Sequence, residues 1–199
     1  MKRIFIFPTV EEAKAFLLTE PRDPVFVGGV GMAEIAAATV RAVKARKPQL
    51  AVLAGIAGAC ERTLRRGEVI EVVTERVAGI PARYAREYET TGPDLGLPLA
   101  AGVTVSRSGD ALTEGPEALT DPDAEGPEAL TGTDAEEPLP RVENMEGAAF
   151  FAVCEALGVA CCEIRAVSNY VGEPFDQWAV GEAVENLTEK LTQIFGNNE

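Results

Sequence analysis

The sequence predicts an α/β fold of three layers, helix–sheet–helix. Three observations carry this. Short runs that are apolar throughout, such as RIFIF (3–7) and LAVLA (50–54), read as strands covered on both faces. They are separated by helical segments, the strand–helix–strand–helix–strand order of a parallel βαβ sheet. The composition, 46% apolar and 25% charged over 199 residues, is that of a globular chain large enough to bury a core without disulfides or metals.

The elements follow in order. Residues 3–7 form a strand rich in Ile and Phe, and residues 11–18 a helix with Thr9 as its N-cap. A second strand, 24–27, runs into Gly28-Gly29-Val30-Gly31. An Ala-rich helix spans 32–46. The strand 50–54 is continuously apolar and ends in Gly55-Ile56-Ala57-Gly58, read as a second glycine turn. Residues 67–77 alternate better and suit a longer strand or hairpin arm. A strand at 103–106, an apolar helix at 145–157, a strand at 161–170 and an amphipathic helix at 176–195 complete the chain.

One segment departs from this pattern. Residues 114–124 (EGPEALTDPDA) and 125–135 (EGPEALTGTDA) are a tandem repeat, identical at nine of eleven positions. Between 110 and 137 there are ten acids and no Lys or Arg, so most of the net charge of −14 lies there. Residues 110–137 are read as an acidic loop insert within one domain spanning 1–199. A solvated loop suits this composition better than a lid.

Composition also excludes function classes. An excess of 32 acids over 18 bases argues against nucleic acid or an anionic membrane as partner. There is no histidine, which removes Ser-His-Asp and Cys-His nucleophiles, His-ligated zinc and imidazole acid–base catalysis. Carboxylates and amides must then do the proton and charge work of any enzyme. Cys60, Cys154, Cys161 and Cys162 form no C-x-x-C pair and read as small buried residues in a reducing compartment. Cys161 and Cys162 adjoin in a strand, so their side chains should face opposite ways. The first apolar run is too short for a signal peptide or membrane span, and a cytoplasmic location is expected.

Several motifs can carry chemistry. The glycine segments at 28–31 and 55–58 sit at strand carboxyl ends, where an α/β sheet receives ligands. Gly55, Ala57 and Gly58 would let a ligand lie against main chain, or simply pack the sheet. The first segment lacks the third glycine of a dinucleotide fingerprint, because Glu34 stands there. Glu12 falls in the first turn of a helix, where an acid is commonly a dipole partner. Glu143-Asn144-Met145-Glu146-Gly147 places two carboxylates, an amide and a thioether before an apolar helix. Capping accounts for Asn144 and one glutamate but not for Met145 and Gly147. A carboxylate there can accept both hydroxyls of a ribose, with Met145 under the sugar or base. Arg165, Ser168 and Asn169 end the last apolar strand; Arg165 suits a buried ion pair with Glu163 or a neighbouring carboxylate. Phe175 and Trp178 are expected to seal the core more than to stack on a ligand.

Together, PTVEEAKAF (8–16), VGGVGMAEIAAAT (27–39), LAGIAGAC (53–60), GEVIEVV (67–73), ENMEGAAF (143–150) and EIRAVSNYVGEPFDQW (163–178) resemble the nucleoside phosphorylase/nucleosidase superfamily. Within it, the likeness is to the futalosine hydrolases of the alternative menaquinone pathway. The resemblance covers nearly the whole chain outside about 80–140. It implies a nucleoside phosphorylase-like αβα fold with a central mixed sheet, and a homo-oligomer, dimer or higher. It also implies hydrolysis of the N-glycosidic bond of a small purine nucleoside, without cofactor or metal. By the family's motifs Glu12 matches the carboxylate that activates water. Glu146 matches the residue holding the ribose hydroxyls, with Met145 beside it, and Phe150 or Phe151 could stack on the purine.

Asn169 departs from the related methylthioadenosine/S-adenosylhomocysteine nucleosidases, which carry Asp there. Hypoxanthine presents O6 and N7 as acceptors and N1–H as a donor, and a neutral amide suits that edge better than a carboxyl. A 6-oxopurine leaving group is therefore expected. Phosphorolysis would need a basic phosphate pocket, for which Arg22, Arg62, Arg65 and Arg66 are the nearest cations. Arg83 and Arg86 are candidates to hold the aromatic carboxylate of futalosine. Rivals to hydrolysis are a purine nucleoside phosphorylase, a methylthioadenosine-type nucleosidase, a nucleoside-binding protein and a domain with a decayed site. Glu12 distinguishes the binder, which has no use for a water-activating carboxylate.

Overall fold

The computed structural model describes residues 1–113 and 138–196. The repeat at 114–135 lies outside the described residues. In chain order the elements are β1 (Arg3–Phe7), α1 (Val10–Leu17), β2 (Val25–Val27), α2 (Met32–Arg46), β3 (Leu50–Ala59) and β4 (Val69–Val77). There follow β5 (Glu87–Glu89), β6 (Leu99–Thr104), β7 (Arg141–Asn144), α3 (Gly147–Leu157), β8 (Ala160–Tyr170) and α4 (Val180–Phe195).

Among the described residues, all eight strands belong to one mixed sheet. β1 lies parallel between β2 and β3. β3 pairs β8 in parallel over its full length, from Leu50↔Ala160 to Ala59↔Tyr170. β8 runs antiparallel to β4, β4 parallel to β6, and β6 parallel to β7. β7 then returns antiparallel to the far end of β3, at Gly58↔Glu143. Strands β3, β8, β4, β6 and β7 thus close on themselves. Each contributes to one cluster at the centre of that ring: Ala57 and Ala59, Val167, Ile70 and Val72, Ala100, and Val142. Closure removes the free edges an open sheet would leave.

The helices cover two faces. Phe5 and Phe7 of β1 point to a cluster with Ala13 and Phe16 of α1 and Ala183, Leu187 and Leu191 of α4. Ile4 and Ile6 point the other way, to Ile35 and Val43 of α2 and Phe150, Phe151 and Cys154 of α3. Alternation along a strand dictates this split. Cys161 joins the second cluster and Cys162 the first, and all four cysteines are free thiols.

Five sequence expectations are corrected. Gly55-Ile56-Ala57-Gly58 is not a turn but the second half of β3, hydrogen-bonded to β8 on one side, with a register shift after Ala57. Strand β7 was not foreseen, because RVEN is short and polar; it forms because the ring needs it to bridge β6 and β3. β5 was likewise missed, and β6 starts at Leu99, ahead of the predicted 103. The last helix begins at Val180, after a separate 3₁₀ turn at Phe175–Gln177 fixed by Pro174. Among the described residues no helix is long and apolar enough to cross a membrane.

Candidate active site

The carboxyl ends of β1, β3 and β8 and the β7–α3 junction surround a cavity of about 480 Å³, a size suited to a small ligand. Thr9, Glu12, Ile56, Ala57, Gly58, Asn144, Met145, Glu146, Arg165, Ser168 and Asn169 all line it.

Glu12 is the third residue of α1, and Thr9 caps that helix by accepting the Glu12 N–H at 3.2 Å. This spacing is that of a capping box. The carboxylate accepts the Thr9 hydroxyl at 2.6 Å and the Ile56 N–H at 2.9 Å. Burial raises its pKa above the usual glutamate range; the Thr9 and Ile56 hydrogen bonds and the Arg165 charge pull it back. A base raised toward neutrality holds a proton better once it has taken one.

Glu146 occupies the N-cap position of α3 and is buried. One oxygen accepts the N–H of Gly31, the N-cap of α2, at 3.0 Å. Gly31 has φ of 92°, a conformation open to glycine at little cost. The other oxygen accepts from Arg165 at 3.2 Å and from the Met145 N–H at 3.3 Å.

Arg165 joins these parts. It is 1% exposed and donates to Glu163 at 2.7 Å, to Glu146 at 3.2 Å, to the Ile56 carbonyl at 3.2 Å and to Asn144 at 3.3 Å. Burial alone would lower its pKa, but Glu163 and Glu146 outweigh it and hold the guanidinium charged. Asn144 is the second hub. Its Oδ1 accepts from Arg165 and from the N–H groups of Glu146 and Gly147 at 2.9 and 2.7 Å, and its amide N–H donates to Glu75.

At the opposite wall, Asn169 accepts the Ser168 hydroxyl at 2.7 Å and donates one amide hydrogen to the Tyr170 carbonyl at 3.1 Å. Those two bonds fix which end is nitrogen, and the second amide hydrogen is left for a ligand. Gly58 makes room for it: a Cβ there would lie 3.0 Å from the Asn169 nitrogen.

A profile of the phosphorylase superfamily matches residues 17–196. The chain belongs to the phosphorylase superfamily. Futalosine hydrolase of Thermus thermophilus is 32% identical over 192 residues, covering 83% of this chain and 78% of that protein. Among solved structures, a 5'-methylthioadenosine/S-adenosylhomocysteine nucleosidase from Helicobacter pylori matches with a TM-score of 0.73 at 15% identity, over 98% of this chain and 97% of that one. The native futalosine hydrolase of Helicobacter pylori matches with a TM-score of 0.72 at 14% identity, over 97% of each chain. At such identities these two structures speak for the fold.

In this phosphorylase-superfamily chain most residues singled out from the sequence meet at the cavity. Glu12, Met145, Glu146, Ser168, Asn169, Ala57 and Gly58 line it together. Phe150 and Phe151 do not. They are 0% and 1% exposed and pack among Ile4, Ile6 and Leu53. Because α3 starts at Gly147, both project onto its sheet-facing side. Gly55 does not line the cavity either. It sits behind Glu12 and Arg165, where a Cβ would lie 2.8 and 2.7 Å from their side-chain atoms. Phe175, expected to seal the core, is 73% exposed; it lines the cavity with Trp178, ring centroids 5.1 Å apart.

Of the cations considered for phosphate or for an aromatic carboxylate, none lines the cavity. Arg66 pairs with Glu173 at 2.7 Å, Arg62 stacks on Tyr170, and Arg86 pairs with Glu155. Sequence reasoning missed the hub role of Asn144 and the anchoring of Glu12 by the Ile56 N–H. Nothing local signals either. Thr9 is legible as a cap; its donation to the Glu12 carboxylate appears only in the structure.

Proposed function

We propose that this chain is a nucleosidase that hydrolyses the N-glycosidic bond of futalosine and releases hypoxanthine. The observation that carries the reading is that Glu12 and Glu146 open on one cavity with Arg165 beside both. The Thermus relative gives the substrate class.

In this reading the ribose lies against Glu146, its vicinal hydroxyls donating to the carboxylate, with Met145 beside the sugar. A water donates to Glu12. As the bond from the anomeric carbon to N9 lengthens, its electron pair moves to the purine and the sugar gains oxocarbenium character. Glu12 takes a proton from the water, whose oxygen bonds to the anomeric carbon. The free amide hydrogen of Asn169 hydrogen-bonds the departing purine at N7 or O6. An amide supplies no proton at neutral pH, so the purine is protonated by solvent. Asn169 presents the ligand its free amide hydrogen, while its oxygen already accepts the Ser168 hydroxyl. That suits the acceptor-rich edge of a 6-oxopurine.

Hydrolysis is favoured over phosphorolysis because Arg165, the cation lining the cavity, is already held by two carboxylates. The reading extends to a cytoplasmic homo-oligomer, dimer or higher. Incubation with futalosine and chromatography for hypoxanthine tests it. Release should occur without phosphate, and Glu12→Gln should lose about 100- to 10,000-fold in kcat while keeping ligand affinity. Phosphate-dependent release, or none, would overturn the reading.

A further inference from the structure

Two buried carboxyl groups reach the site only through Arg165 and Asn144 and do not open on the cavity. Glu75 of β4 and Glu163 of β8 are both 0% exposed, and neither lines the cavity. They meet behind it. A Cβ on Gly147 would collide with Oε1 of Glu75 and Oε2 of Glu163 at once, so both oxygens lie close to one point beside that glycine.

We infer that Glu75 and Glu163 share one proton between Oε1 of Glu75 and Oε2 of Glu163, and that this pair positions Arg165 against Glu146. The charge count requires a proton. Glu12, Glu75, Glu146 and Glu163, all buried, surround the single guanidinium of Arg165. Four ionised carboxylates there would leave a large uncompensated charge away from water, and such groups take up a proton instead.

The hydrogen bonds show where the proton lies. Oε2 of Glu75 accepts the Thr104 hydroxyl at 2.7 Å, and the Thr104 oxygen itself accepts the Ala148 N–H at 2.8 Å. Oε1 of Glu75 accepts the Asn144 amide. Oε1 of Glu163 accepts Nε of Arg165 at 2.7 Å. Oε2 of Glu163 is the one buried side-chain polar atom, among the described residues, without a hydrogen-bond partner. A proton toward Oε1 of Glu75 supplies the missing bond.

Other charged or titratable groups near the pair are Arg165 and Cys161 on β8, Cys162 on that strand's opposite face, Glu146 at the start of α3, and Glu12 of α1 beyond Arg165. β6 and β7 present the neutral Thr104 and Asn144. Burial and mutual repulsion raise the pKa of Glu75 well above the usual range. With the proton in place, Arg165 is shared between Glu163, Glu146 and the Ile56 carbonyl. Without it, a fully ionised Glu163 draws the guanidinium from Glu146, so loss of the proton should produce an alkaline limb in kcat.

Glu163→Gln is the informative variant. Its oxygen still accepts Arg165 Nε, and its amide donates to Oε1 of Glu75 as the shared proton would. The infrared spectrum of the full chain near neutral pH should show a protonated carboxylic-acid carbonyl band that Glu163→Gln lacks. This measurement does not depend on activity. The kinetic arm rests on the nucleosidase reading: Glu163→Gln should lose the alkaline limb of the kcat–pH profile. Glu163→Leu, without an acceptor for Arg165, should lose about 100-fold in kcat with a smaller change in KM. No missing carbonyl band, or an unchanged alkaline limb in Glu163→Gln, overturns the inference. A chain inactive on futalosine that still shows the band loss would sink the nucleosidase reading alone.

Discussion

Glu12 and Arg165 meet on one residue of main chain: the Ile56 N–H donates to Glu12 at 2.9 Å and the Ile56 carbonyl accepts from Arg165 at 3.2 Å. A strand residue with both polar groups turned to side chains couples carboxylate and guanidinium at fixed spacing. β3 can do this because, on the side away from β8, its pairing with β1 ends at Leu53 and its pairing with β7 begins at Gly58, leaving Ile56 between them. Gly55, just before, leaves the space the two side chains occupy.

Gly55→Ala tests that geometry. The new methyl would lie 2.7 Å from Arg165 Nη1 and 2.8 Å from Glu12 Oε1. One or both must shift. We expect a loss of about 10- to 100-fold in kcat, as displaced catalytic groups typically give. Wild-type kcat in a chain with normal circular dichroism would contradict the coupling.

Stability should fall as pH rises. Glu75 has a folded-state pKa raised above the ordinary glutamate value of 4.5, chiefly by burial and then by Glu163. The folded chain then holds a proton that the unfolded chain releases. This contribution is fully present below 4.5 and is lost as pH rises through the raised value. Glu12 adds in the same direction. Urea midpoints measured from pH 5 to pH 9 should decline, with a shallower slope in Glu163→Gln. A flat profile would argue that both carboxyls are ionised throughout.

Asn169 should govern base selectivity. Asn169→Asp replaces an amide hydrogen donor with a carboxyl that accepts from an exocyclic amine and donates only when protonated. The kcat/KM ratio of 6-oxo to 6-amino nucleosides should fall by about tenfold or more. An unchanged ratio in competition assays would place purine recognition elsewhere.

Phe150 should behave as core. Phe150→Ala removes a ring that is 0% exposed between α3 and the sheet. We expect a loss of about 3–5 kcal/mol in unfolding free energy. KM of the remaining folded enzyme should be unchanged. A raised KM with wild-type stability would return Phe150 to the substrate.

Much of the fold was legible where the sequence is strongly patterned. RIFIF and CCEIRAVSNY are apolar enough to demand cover on both faces, and Thr9 reads as the N-cap of the helix that follows it. Weak segments were not legible. EYE at 87–89 and RVEN at 141–144 have no strand signal of their own and become strands only when partners offer hydrogen bonds. Gly55-Ile56-Ala57-Gly58 reads as a turn because glycine is common in turns, whereas here it lets side chains crowd against a strand.

The sequence by itself determined the chemistry available: no imidazole, carboxylates at 12 and 146, an amide at 169, and apolar strands that must be buried on both faces. Residue type and local periodicity are properties of the chain, so these are read without coordinates. Only the tertiary structure decided that five strands close into a ring and that Phe150 and Phe151 serve the core. It alone decided that Glu75, 69 residues from Asn144 in the chain, meets Asn144 and Glu163 behind the cavity. Such pairings depend on strand order and register, which follow from the packing of the whole molecule rather than from any local stretch.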